Sequence, residues 1–203
     1  MQRLLFFLLV GALPAAGQWR HLGQPYSEHL EPTGFVGIGG STAVNPLARN
    51  LDAGWNFAGG FGVTQGYAGV MADFMFTDFG ITHSALVRQD ARSGYQRFWA
   101  LTVDPIVHVN PRGPVDFYLV AGAGLYGHRT GLRAASGLAG QATQFDLVRV
   151  DTTHDFGVNG GAGFAFSISP QSRVKVFAEA RFHRIFNEGS RASLIPITIG
   201  VRF

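Results

Sequence analysis

Lys175, Glu179 and Arg181 fall at spacings of two and four within the segment Arg173 to Arg184. Residues two apart in an extended strand point to the same side, so the three share a face with His183. Other alternating segments place Asp73, Asp104 and Arg202 on the corresponding face. Three acids and three bases confined together should pair, because an isolated charge shut away from water costs several kcal/mol. Two uses fit such a network. One is a structural polar plug; the other is a gated ion pathway in which Glu179 changes partners between Arg181 and Lys175.

Other chemistry finds less support. The seven histidines include no close ligand pair with a carboxylate, so no metal centre is expected, and no cofactor is implied. The glycine-rich stretches lie inside alternating segments, not between a strand and a helix, which argues against phosphate loops. Arg181 to Asn187 resembles the C-terminal region of the lipid A deacylases, whose chemistry needs a serine held beside a histidine base. Here the position that would share a face with His183 is Ile185. His83 and Ser84 are adjacent, and adjacent strand residues point apart. Spacing leaves His128 or His154 with Ser136 open as an acyltransferase pair, but solvated loop histidines are the expected reading, and no enzyme activity is expected.

The elements that must position these residues are strands. Ile197, Ile199, Val201 and Phe203 alternate with Thr198, Gly200 and Arg202 up to the last residue. Seven further segments alternate in the same way. They run from Gly34 to Ser41, Gly54 to Thr64, Tyr67 to Phe76, Tyr95 to Val107, Val115 to Gly127, Asp155 to Ile168 and Arg173 to Arg184. Tyr67, Phe98 and Phe177 fall on the polar face by this count, so the alternation is imperfect. With 28 Gly and 18 Phe but only 14% charged residues, the chain is poor in charge beside the roughly 25% of ordinary soluble domains. Abundant but interleaved apolar residues suit strands with one face in lipid and the other toward a polar interior.

The other end of the chain points the same way. Met1-Gln2-Arg3 precedes an apolar run from Leu4 to Val10 and small residues at Ala15 and Gly17, the pattern of a secretory signal peptide over 1–17. The run is shorter than the roughly 20 apolar residues of a membrane-spanning helix. Cleavage after Gly17 would lower the formal charge from +3 to +2 by removing Arg3. The remaining basic residues are scattered, which argues against a nucleic-acid interface. With no cysteine, disulfides and an N-terminal lipid-modified cysteine are excluded. Residues 18–33, polar and carrying Pro25 and Pro32, read as a periplasmic lead-in to a barrel domain over 34–203.

Connection lengths supply an independent argument. Links after the second, fourth and sixth strands are short, whereas those after the first, third, fifth and seventh are long. Short periplasmic turns alternating with long external loops characterise outer-membrane barrels. The expected fold is therefore all-β, an eight-stranded antiparallel up-and-down transmembrane β-barrel. A lipocalin-like soluble barrel would need an apolar inside, the inverse of this pattern.

On Tyr118-Leu119-Val120-Ala121-Gly122-Ala123-Gly124, Gly160-Gly161-Ala162-Gly163-Phe164 and the Phe203 ending, the chain resembles the OmpA-like class of small outer-membrane barrels. The resemblance implies outer-membrane residence, with Ile197, Ile199, Val201 and Phe203 as an assembly signal read by the barrel assembly machinery. It also implies contact with outer-membrane lipid and lipopolysaccharide, and a monomer with a structural or surface-interaction role. The alternative is a narrow channel or carrier for small or hydrophobic solutes. The chain ends on its last strand, so no peptidoglycan-binding domain is expected after the barrel. No external ligand is legible.

Overall fold

Alternating side chains allow a strand to present one uniform face to lipid and the other to an interior, and here eight such strands close on themselves. The computed structural model describes residues 29–44, 46–134, 147–169, 172–187 and 190–203. The strands are β1 (Glu31–Val44), β2 (Gly54–Gln65), β3 (Ala68–Gly80), β4 (Ala91–His108), β5 (Val115–Ala134), β6 (Leu147–Ser167), β7 (Lys175–Asn187) and β8 (Ser190–Arg202). Each pairs antiparallel with its sequence neighbours, and β1 pairs with β8 to complete the barrel. The residue after β8 extends the seam: Phe203 and Gly34 exchange backbone hydrogen bonds of 2.9 Å in both directions.

The expected strands are all present, but several are longer. β1 begins at Glu31, inside the expected lead-in, while the signal-peptide segment 1–17 and residues 18–28 lie outside the described residues. β4, β5 and β6 extend well past their expected limits at the long-loop end. There both faces of the wall have left the apolar band, so no alternation of hydrophobicity is needed to hold the ladder. A short helix, α1 (His83–Arg88), occupies the β3–β4 connection and places His83 and Ser84 there. The tight β2–β3 turn uses Gly66 at φ 61°, a left-handed conformation that glycine adopts without steric penalty.

The two faces differ as the alternation requires. Val36, Ile38, Phe61, Leu101, Val103, Leu119, Phe164, Ile197 and Ile199 are exposed on the outer wall, Phe61 to 74%. On the opposite face Asn56, Asp73, Thr102, Asp104, Tyr118, Asn159 and Thr198 are buried inside. The interior is not polar throughout, however. Toward the long-loop end Met75, Phe79, Phe98, Ala100, Tyr126, Ile185 and Leu194 form one apolar cluster, with Leu51, Ile81 and Ala85 closing over it. Toward the short-turn end Phe35, Met71, Ile106, Tyr118, Val120, Ala165 and Phe177 form a second. Inward aromatics such as Phe98 and Phe177 break the hydrophobic alternation because they build these two layers.

Candidate functional site

Between the two apolar layers lies a charged one. Arg181, on β7, is its hub and is only 7% exposed. Its Nη1 stands 2.8 Å from Asp104 Oδ2 on β4 and 2.8 Å from Asp73 Oδ2 on β3, and its Nε donates to Glu179 Oε1. Asp104 is fully buried and also accepts hydrogen bonds from Thr102 Oγ1 and Asn159 Nδ2, both at 2.8 Å. Asp73 faces Arg181 as an ion pair, without an aligned hydrogen bond on either oxygen. Arg202 reaches in from β8, its Nη2 4.0 Å from Glu179 Oε2, with its guanidinium over the Tyr118 ring at 4.2 Å.

Small residues make room for this layer. A Cβ at Gly122 would strike Asp104 Oδ1, and one at Gly60 would strike Asp73 Oδ1. Glycine in a strand interior ordinarily weakens it, and here it lets another group approach closely. A neutral hydrogen-bonded set adjoins the charged layer. Asn56 Nδ2 donates to Gly40 O at 2.8 Å and to Ser41 Oγ at 3.2 Å, and Thr198 Oγ1 donates to Asn56 Oδ1 at 2.9 Å. Asn56 thus ties β2 to β1 and β8 across the closing seam.

Five of the six charged residues singled out in the sequence, Asp73, Asp104, Glu179, Arg181 and Arg202, come together. Lys175 stands apart, and its Nζ donates to Pro111 O of the β4–β5 turn at 2.6 Å. It is four residues from Glu179 along β7, so it lies at the short-turn end, one layer below the hub. The alternate cation beside Glu179 is Arg202, not Lys175. The layer therefore holds three carboxylates against two guanidinium groups. The residues of the expected assembly signal, Ile197, Ile199, Val201 and Phe203, are exposed on the outer wall.

Polar pairs missed by the sequence reading flank these layers. His108 Nδ1 and Asp116 Oδ2 are 2.5 Å apart at the short-turn end, where Asn110 N also donates to Asp116 Oδ1 at 3.2 Å. Tyr126 and His183 share a hydrogen bond of 2.9 Å within the upper layer. At the long-loop mouth Thr153 Oγ1 lies 2.7 Å from His128 Nδ1 and donates to Asp155 Oδ2 at 3.2 Å. The carboxylate there meets the hydroxyl and not the far nitrogen of the imidazole, so the three do not form a relay from acid through base to nucleophile. His154 packs against Trp99 at 5.6 Å between ring centroids, away from His128, and Ser136 lies outside the described residues. Facing strands signal such pairs only once register is known.

No protein-family model matches the sequence, and no curated protein matches it. Among solved structures, Neisserial surface protein A superposes with a TM-score of 0.59 at 16% identity, covering 86% of this chain and 98% of that one. A major outer membrane protein from Thermus thermophilus gives 0.53 at 11% identity, covering 84% and 98%. At such identities the likeness is one of fold. The fold is that of the small eight-stranded outer-membrane barrels, as the OmpA-like resemblance implied.

Proposed function

We propose that the protein resides in the outer membrane as an integral barrel with a closed interior and acts in a structural or surface-interaction role. The observation that carries this reading is the inversion of the two faces. An apolar wall exposed all round surrounds buried charges, and only a lipid surrounding makes that arrangement stable. The interior supports closure. Eight strands leave a lumen that side chains can fill, and here charged and apolar layers succeed one another along it. Interaction with other molecules then falls to the long-loop end, where β4, β5 and β6 project furthest.

Export through a cleaved signal peptide and monomeric insertion by the barrel assembly machinery complete the proposal. Two measurements test it together. Fractionation should recover the chain in the outer membrane with heat-modifiable gel migration. Reconstitution in planar bilayers should give no ion-conducting channel. Steady single-channel conductance from the intact protein would instead favour the narrow-channel reading.

A further inference from the structure

The outer wall carries a charged row with no apolar function. Asp78, Arg97, Arg129 and Thr152 are successive register partners across β3, β4, β5 and β6. Directly paired residues share a face with their Cβ atoms about 4.5–5.5 Å apart, and like charges so placed repel. Arg97 is partly neutralised, because its Nε donates to Asp78 Oδ2 at 3.0 Å and its guanidinium stacks over the Tyr95 ring at 4.3 Å. Arg129 is exposed and has no partner among the described residues. The row thus carries one positive charge in excess, held beside an arginine whose fork is already oriented.

The row one step nearer mid-barrel fixes its depth. Phe76, Trp99, Gly127 and His154 are register partners there. The Trp99 indole covers Gly127, where a Cβ would overlap it, and packs against His154. Aromatic side chains of this kind mark the boundary between the apolar band and the headgroup region. The arginines lie just beyond that boundary on the long-loop side and, exposed on the outer wall, face sideways.

We infer that Arg97 and Arg129, floored by Trp99 and His154, bind the phosphate of an outer-leaflet lipid headgroup. The inference rests on the membrane reading above. Arginine suits this ligand because its planar fork offers two parallel donors to phosphate oxygens. A phosphate lying between the two guanidinium groups relieves their mutual repulsion. Lateral access favours a lipid-borne phosphate over a free ion.

The test uses the full chain folded into phosphatidylcholine vesicles, with lipid A titrated in and the thermal unfolding midpoint read at each fraction. Wild-type protein should rise in midpoint as lipid A is added. Arg129→Gln should weaken the apparent affinity about fivefold, the worth of one surface arginine near an anionic headgroup. Asp78→Asn should strengthen it by removing the competing acid, and Arg92→Gln, further up β4, should leave it unchanged. An unaltered titration in Arg129→Gln would overturn the site, and so would an equal loss in Arg92→Gln, which would mean diffuse attraction. An equal rise from inorganic phosphate added to phosphatidylcholine vesicles would overturn the lipid as its source. Failure of the wild type to insert into phosphatidylcholine would instead refute the membrane reading, and this inference with it.

Discussion

Replacing Arg181 with methionine keeps a long side chain in place while deleting the cation that three carboxylates share. In the wild type that guanidinium contacts Asp73, Asp104 and Glu179 while remaining 7% exposed. The variant leaves those acids facing Arg202 alone, whose nearest approach to Glu179 is 4.0 Å. Removing one partner of a buried ion pair typically costs about 3–5 kcal/mol, because the remaining charge stays buried without compensation. Here two further acids share the loss, so the upper part of that range is expected. Asp73→Asn provides the internal contrast. It reduces an excess of acids, and neither oxygen of Asp73 has an aligned hydrogen bond to lose, so its cost should stay within about 1 kcal/mol. Urea titration of the folded band on unboiled gels, with protein in vesicles, measures both. A stability for Arg181→Met within about 1 kcal/mol of wild type would refute the hub assignment. Equal losses in the two variants would refute the charge count.

Further outcomes follow from the same geometry. Val103→Arg, on the outer wall between Thr102 and Asp104, should cost about 2–4 kcal/mol in vesicles. Leu119→Arg, beside the lower apolar layer and nearer the short turns, should cost less, and a reversed order would mean the band is centred elsewhere. Gly122→Ala should destabilise by about 1–3 kcal/mol, because its methyl displaces Asp104 from three hydrogen-bonding partners; unfolding titrations of that variant check it. Glu179→Ala should lose stability without gaining conductance in planar bilayers, since the apolar layers above and below remain; a new conductance would restore the gate. Deleting Phe203 should lower the yield of heat-modifiable protein in the outer membrane, and unchanged yield would show that the seam does not need it.

The wall was legible because lipid imposes one rule on every strand. Val36 and Ile38, or Leu101 and Val103, had to be apolar wherever they faced it, and their neighbours did not. That rule ends where the band ends. Residues 147–154 of β6 follow no regular apolar alternation, so a strand there left no pattern, and α1 is too short to show a helical period. Inside, the sequence identified which charges point inward, but not the level each occupies. Between strands, level depends on stagger, which the sequence does not reveal, so the approach of Arg202 on β8 to Glu179 on β7 could not be read from it. Along a single strand level is legible: Lys175 and Glu179 share a face, but the four residues separating them span about 13 Å, which places them in different layers. Pro196 is a related case. It lies within β8 opposite Ser41, where a residue without a backbone N–H would ordinarily argue against a strand. Phe35, Tyr118 and Tyr126 were hidden for another reason. An inward aromatic looks like a fault in the alternation until the layers it builds are seen.

The central claim is that the apolar face meets lipid and the buried face meets neither lipid nor water. The absence of native cysteine allows a nitroxide label to be placed singly at each position of β4 from Phe98 to Val107. Collision rates with oxygen, which concentrates in lipid, and with a water-soluble nickel complex should then be measured in vesicles. Oxygen accessibility should alternate, high at positions 99, 101, 103, 105 and 107 and low between them, while the nickel complex reaches none of the central positions. High nickel accessibility at Leu101 and Val103 would place that wall in water and contradict the account.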